Sequence, residues 1–434
     1  MRPLDIIRKK RDGEENSPEE INFFIEAYIR GEVSDFQMAA WLMAVYFRGM
    51  SASETAALTM AMVRSGCTLD LSCIPGRKVD KHSTGGVGDK TTIVLVPLLA
   101  AVGLPVIKVS GRSLGFTGGT IDKIESVPGF RTELSTQQMV DQVRRIGAVI
   151  VAQSENLVPA DKKIYALRDL TATVESIPLI AASVMSKKIA AGADAIVLDV
   201  KAGLGAFMKT IAEAQQLAQT MVSIGKNVGK ETVAVITNMD QPLGRAVGNS
   251  LEVKEAIETL KGNGPPDLVE LCVRLGSIAL VLGRKALTLA EGEKAVHEAL
   301  CSGSGAAKFK EIIEAQGGNP AVVDDPTLLP KAPVVREIVS PASGYIWQLD
   351  AYKVARAEVE LGGCRGEVGA SPDPTVGIVL HRKVGDKVSA GEVLGEIHAG
   401  NERLALTAEE IVLSAYNFNS EPPPPQPIVH EVIA

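Results

Sequence analysis

Over residues 1–66 the apolar positions recur at helical spacing. Ile21, Phe24, Ile25 and Tyr28 fall at i, i+3, i+4 and i+7, one face of a helix. Ser17-Pro18-Glu19-Glu20 ahead of them is a capping box with proline at the first helical position. Ser51 with Glu54 repeats the box before the run Ala56 to Val63. The spacing predicts a wholly helical block with several apolar faces, enough to supply an oligomer interface as well as a core.

From Asp80 the period changes. Val106–Val109, Ala148–Val151, Ala195–Leu198 and Val233–Ile236 are short runs rich in β-branched residues. Ser135 to Gln138 caps a helix between two of them, and Ala212 to Val228 reads as another. This alternation implies an α/β lobe with a mostly parallel sheet covered on both faces. Residues 159–193 interrupt it with polar, helical text. They are expected to fold back onto the N-terminal helices and leave a cleft between two lobes.

Helical text continues from Val253 to about Phe309, and Gly317-Gly-Asn-Pro with Pro326 to Pro333 reads as a linker. Short alternating runs, Gly344 to Trp347 and Val376 to His381, then indicate a β-rich third domain. Val384 to Leu394 resembles half of a biotinyl/lipoyl-type β-sandwich. It lacks a carrier lysine in a tight turn and reads as structural. The tail from Pro422 is expected to be a rigid surface segment. The resulting division is 1–66 with 159–193 as a helical lobe, 67–158 with 194–310 as the α/β lobe, 311–334 as a linker, and 335–434 as a C-terminal α+β domain.

Composition narrows the class. A chain of 434 residues exceeds one core, and 46% apolar with only 4% aromatic residues suits an Ala/Val/Leu-packed α/β protein. A net charge of −7 argues against nucleic acid as a partner but leaves a small anionic substrate open. The five cysteines lack metal-ligand spacing, and Cys67 and Cys73 are expected to be buried thiols. No signal-peptide core and no transmembrane-length run is visible, so a cytoplasmic protein without a membrane partner is expected. His297, His381, His398 and His430 lack partners in the text and read as structural or surface residues. Lys9-Lys10 and Lys162-Lys163 read as surface charge.

The candidate chemistry lies in two stretches, Val79-Asp-Lys-His-Ser-Thr-Gly-Gly-Val-Gly-Asp-Lys-Thr-Thr92 and Lys108 to Glu125. Each is an apolar run that breaks into glycines, hydroxyls and lysines. Glycines admit a ligand close to the backbone, N–H groups at a helix start attract anions, and ammonium groups complete the cradle. A Walker A loop is excluded because Asp89 separates Gly88 from Lys90, and the dinucleotide fingerprint fails because Thr91 replaces its third glycine. A site for free phosphate or a small phosphate ester remains, with His82 beside it as an acid/base candidate.

Six motifs carry a resemblance to the thymidine/pyrimidine-nucleoside phosphorylase family. They are Lys81 to Asp89, Ser110 to Glu125, Tyr165 to Thr173, Ser183 to Lys187, Asp199 to Met208, and Gly248 to Glu255, in order along the chain. The chain is closest to the pyrimidine-nucleoside type. The resemblance implies reversible phosphorolysis of uridine, thymidine and deoxyuridine to free base and pentose 1-phosphate. It implies a pyrimidine nucleoside and inorganic phosphate as partners, a homodimer through the N-terminal helices, and base binding on the helical lobe. Lys81, Ser83, Thr92, Ser110 and Thr120 would hold phosphate, with Lys108 adding charge. His82 would hydrogen-bond or protonate the base O2, Arg168 and Lys187 would bind its carbonyl oxygens, and Ser183 its N3 edge. Phe207 would line the cleft. Orientation and electrostatics would then supply the rate without a required cofactor, with lobe closure assembling the site.

Three departures from the family pattern stand out. Relatives bind potassium through positions matching Gly88, residue 90, Leu243, Ala246 and Glu255. Here Lys90 replaces a neutral ligand, and the expectation is that it pairs with Glu255 and makes the ion unnecessary. The second signature carries Ser113 and Phe116 where glycine and histidine are usual. Lys108 stands where thymidine-specific members tend to carry methionine, which favours acceptance of both uridine and thymidine. The alternatives are a strictly thymidine-specific enzyme, or a phosphoribosyltransferase of related fold, for which no paired-carboxylate loop is found.

Overall fold

The computed structural model describes residues 1–113, 118–364 and 371–434. Phe116 lies outside them. The N-terminal block is four helices, α1 (Pro3–Arg11), α2 (Pro18–Ile29), α3 (Asp35–Arg48) and α4 (Ala52–Arg64). Ser17, Ser34 and Ser51 each close a full capping box. The Glu54 of the last box does more than cap. Its carboxylate also meets Lys10 Nζ at 2.7 Å and the Asn16 N–H at 2.7 Å, and Asn16 in turn accepts from the buried Trp41 indole. Lys10 is therefore a core cation rather than surface charge, because a carboxylate buried in the bundle needs a partner.

The α/β lobe follows as β1 (Val79–Ser83), α5 (Thr91–Ala101), β2 (Val106–Ser110), α6 (Thr120–Ile124), α7 (Thr136–Ile146) and β3 (Ala148–Ala152). Helices α8 (Pro159–Leu170) and α9 (Ile177–Ala190) then return to the bundle, where Ile164, Leu179 and Ala182 join one core with α2 and α4. The lobe resumes with β4 (Ala195–Ala202), α10 (Ile211–Asn227), β5 (Glu231–Asn238), the short β6 (Ala246–Val247), and α11 (Asn249–Leu260), α12 (Pro266–Leu282), α13 (Leu289–Cys301) and α14 (Ser304–Ala315). Strands β1, β4 and β5 are parallel neighbours, while β2 and β3 pair separately. The β2–β3 pair stands between the lobes: Val106 and Ile150 face the α/β core, Ile107 and Val149 the helical core.

The C-terminal part contains β7 (Val334–Val339), β8 (Gly344–Leu349), α15 (Ala351–Leu361), β9 (Gly377–Leu380), β10 (Lys387–Val388), β11 (Val393–Ala399), α16 (Glu402–Ala415) and β12 (Tyr416–Asn419). A last strand, β13 (Val429–Ile433), leaves this domain and pairs antiparallel with β5. In exchange β6 pairs with β9 as an edge of the C-terminal sheet. The two domains thus trade strands, and the tail does more than run along the surface. The expected linker is packed too: Val322, Val323 and Leu329 bury their side chains between short 3-10 turns. Cys67 and Cys73 are exposed, contrary to expectation, because they lie in the open connection between α4 and β1. No described helix is long and apolar enough to cross a membrane.

Candidate active site

Strand parity sorts the first motif. Val79 and Lys81 face the core shared with α5 and α12, whereas Asp80 and His82 sit opposite Ile196 and Leu198, on the α9–α10 side. On the inner side Lys81 Nζ bonds Thr91 Oγ1 at 2.5 Å and lies 3.1 Å from Asp199. Lys201, which sequence reasoning passed over, is fully buried 2.9 Å from the same carboxylate. Asp89 completes the group. Burial opposes its ionisation, but Lys81 and Lys201, with hydrogen bonds from Ser83 and Thr91, hold it well below the usual carboxylate range. Asp89 also accepts the Thr91 N–H at the start of α5, so the loop is preset by ion pairs before any ligand arrives.

Lys90 is 0% exposed and its ammonium is saturated. It donates to Leu243 O at 3.0 Å, to Ala246 O at 2.8 Å and to Glu255 Oε2 at 2.5 Å. Two glycines make the cradle possible. A Cβ at Gly88 would stand 2.6 Å from Leu243 O, and one at Gly244 would stand 2.4 Å from Glu255 Oε2, both at left-handed φ. The carbonyls and carboxylate that could hold a monovalent cation are therefore already turned onto a side-chain cation. No group of three or more His, Cys, Asp or Glu suited to a metal occurs among the described residues.

In the second motif Ser110 closes β2 and Thr120 opens α6. Arg112 clamps the turn by pairing with Glu125 and Asp122, and the Ser113 N–H donates to Asp122. The Ser113 hydroxyl is buried and has no hydrogen-bond partner among the described residues. Lys108 is buried between β2 and β1, bonding Asp80 at 3.1 Å and the Lys81 carbonyl. Burial first, then Lys188 and Lys81, push its ammonium down to about 7.

On the helical side, Lys187 of α9 is 25% exposed, donates to Ser183 Oγ at 2.9 Å and pairs with Asp161 at 2.6 Å. Asp161 on α8 is a residue the sequence reading missed. Its other oxygen is buried without a partner among the described residues, and the i, i+4 spacing of Ser183 and Lys187 was the only hint of a shared face. Arg168 is 1% exposed and donates to Thr173 O, Val174 O and Leu179 O, which pins the α8–α9 turn. Lys188 is buried rather than solvated and donates to Asp80 and Val109 O. Phe207 is half-buried against the core beneath α9 and α10.

His82 lies on β1 opposite Leu198, on the same face as Asp80. Burial, then the ammonium groups of Lys188, Lys108, Lys187 and Lys81, hold its imidazole well below the ordinary value. Burial and these ammonium groups both disfavour a charged imidazole at His82. Far from it, His381 and His398 both approach Glu396, at 3.2 and 3.6 Å, so these two do have a partner.

The chain matches three family models: the glycosyl transferase family helical bundle domain over residues 4–66, the α/β domain of that family over 75–306, and the pyrimidine nucleoside phosphorylase C-terminal domain over 345–418. A pyrimidine-nucleoside phosphorylase from Geobacillus stearothermophilus is 55% identical over 404 residues, covering 93% of each chain. One from Staphylococcus haemolyticus (strain JCSC1435) is 56% identical over 404 residues, again covering 93% of each. Among solved structures, anthranilate phosphoribosyltransferase from Thermus thermophilus superposes with a TM-score of 0.60 at 20% identity, over 72% of this chain and 99% of that one. That last likeness concerns the fold alone.

Proposed function

The chain belongs to the pyrimidine-nucleoside phosphorylases of this glycosyl transferase family, and we propose that it catalyses reversible phosphorolysis of uridine, thymidine and deoxyuridine. The observation that carries this reading is the set of buried lysines flanking His82 on β1, Lys81 on Asp199 and Lys108 with Lys188 on Asp80. Breaking an N-glycosidic bond puts positive charge on the sugar and negative charge on the departing base. A phosphate held by Lys81, Ser83, Thr92, Ser110 and Thr120 attacks the anomeric carbon, and the base leaves toward the helical lobe. A neutral His82 serves as hydrogen-bond donor to the base O2, strengthening as charge develops there. Lys187 and the two Arg168 N–H groups not spent on carbonyls meet the base oxygens. Ser183 takes the N3–H, since its oxygen is an acceptor with a lone pair left beyond Lys187.

Lys108 keeps one N–H beyond Asp80 and Lys81 O, a donor suited to a ribose 2′-hydroxyl, which favours acceptance of both sugars. The Lys90 cradle does not fit a potassium ion in addition to the ammonium, so no step depends on one; full activity in potassium-free buffer is expected. Base and phosphate residues lie on different lobes, so closure is proposed to assemble the site. Identical solution-scattering profiles with and without both substrates would refute closure.

The homodimer is assigned to the N-terminal helices. Phe36 and Phe47, eleven residues apart on α3 and hence on one face, are 88% and 77% exposed, and Leu170 on α8 is 77% exposed. Phe47→Asp should shift the sedimenting species to monomer; an unchanged mass sinks the assignment. The central test is release of uracil or thymine from uridine, thymidine and deoxyuridine with and without phosphate. Strictly phosphate-dependent release with formation of pentose 1-phosphate is expected. Release that ignores phosphate would overturn phosphorolysis.

A further inference from the structure

Asp80 carries more than its place in the first motif requires. Its Oδ1 accepts from Lys108 Nζ at 3.1 Å and its Oδ2 from Lys188 Nζ at 2.7 Å. Each lysine then reaches a backbone carbonyl on a further strand, Lys108 to Lys81 O of β1 and Lys188 to Val109 O of β2 at 3.2 Å. The three side chains are only 3–5% exposed. They join three elements at the junction of the lobes: β1, β2 and the helical lobe's α9. Parity gives the arrangement its direction, because Asp80 shares its face of β1 with His82, and Lys108 shares its face of β2 with Ser110.

We infer that Asp80 is a positioning residue for the phosphate site, clamping Lys108 of β2 and Lys188 of α9 so that both ammonium groups stay fixed beside His82 and Ser110. The inference rests on the phosphorolysis reading. A lysine stem is flexible, so an ammonium that must meet phosphate in one place needs a second anchor. The triad carries one net positive charge. Without the carboxylate, two buried ammonium groups would face each other, and Lys108, already pushed down to about 7, would give up its proton. The net charge presented to phosphate would then be the same, and what is lost is placement. Asparagine fits the space but can accept from only one of the lysines, and its amide N–H faces a Lys108 that has lost its charge and turned acceptor.

The test is steady-state kinetics on the full-length protein with deoxyuridine, which lacks the 2′-hydroxyl that Lys108 could also meet, and phosphate varied separately. Wild-type protein is assayed first: no phosphate-dependent uracil release there overturns the functional reading itself. Given an active wild type, Asp80→Asn should raise the phosphate KM by ~10- to 100-fold, the cost of a misplaced binding group, with the deoxyuridine KM much less affected. Equal changes in both constants, or no change, overturn the inference. Because Asp80→Asn leaves a buried charge imbalance and could fail to fold, Asp80→Asn combined with Lys188→Met supplies the second arm, since it removes one charge of each sign. If Asp80 positions Lys108, the double variant regains its unfolding midpoint yet keeps a phosphate KM well above that of Lys188→Met alone. If it only balances charge, midpoint and phosphate KM recover together, and the inference fails.

Discussion

Lys90, on the α/β side of the cleft, is wholly enclosed and bonded to two carbonyls and a carboxylate. Lys187, on the helical side, keeps a quarter of its side chain in solvent and leans on one carboxylate and one hydroxyl. The same contrast runs through both sides. Lys81, Lys123 and Lys201 are tied into buried ion pairs in and around the proposed phosphate loops, while Lys187 and Ser183, the proposed base-side donors, sit on one helix face with capacity left over. A small, invariant anion such as phosphate rewards a site whose donors are fixed in advance, because no reorganisation accompanies binding. On the proposed reading, a base that must arrive, be polarised and leave is better met by donors with capacity to spare.

Four substitutions and one titration test that contrast, beginning with the largest effect. His82→Ala should lower kcat by ~10²- to 10⁴-fold, the range for a positioned proton-sharing group, while the phosphate KM stays close to wild type. A comparable loss in phosphate affinity would place His82 on the anion side instead. Lys90→Met strips a buried carboxylate and two carbonyls of their cation and should cost about 3–5 kcal/mol in urea unfolding. Potassium chloride, which a vacated cradle could admit, should recover part of that loss; an unchanged unfolding curve would show that the enclosed lysine is not structural. Lys187→Met should raise the nucleoside KM by roughly tenfold, about 1.4 kcal/mol, and leave the phosphate KM alone.

The titration comes next. His82 is depressed in the folded protein, so as pH falls below 6.5 the unfolded chain gains a proton that the folded chain refuses. Its contribution to stability is therefore unchanged above 6.5 and declines as pH drops beneath it. Ring signals of His82 that show no inflection near 6.5 by NMR would agree; a midpoint there would mean that the lysines do not crowd it. The smallest effect belongs to Lys162→Ala, whose pair with Glu155 is mostly solvated, and it should shift stability by no more than about 0.5 kcal/mol.

Much of the site was legible because its chemistry is local. Glycines, hydroxyls and lysines at fixed offsets after an apolar run mark a candidate anion loop whatever encloses it, and serine capping boxes placed the N-terminal helices. Partnerships across long sequence distance were less accessible. Nothing local marks Lys10 as the buried partner of Glu54, and the spacing of Ser183 and Lys187 hints at a shared face but not at Asp161. The exchange of β6 and β13 between domains was invisible for a similar reason. A two- or five-residue strand carries too little pattern to say which sheet edge it joins.

Sequence alone determined the alternation of elements and the stretches where glycines, hydroxyls and lysines gather around His82, since each follows from periodicity or composition over a few residues. Tertiary structure decided which charges are spent and which remain free. Parity turned Lys81 inward and Asp80 toward His82, and packing closed two carbonyls and Glu255 around Lys90. The physical reason is that a charge's role depends on what desolvates it and what opposes it. Both are set by neighbours dozens to hundreds of residues away along the chain.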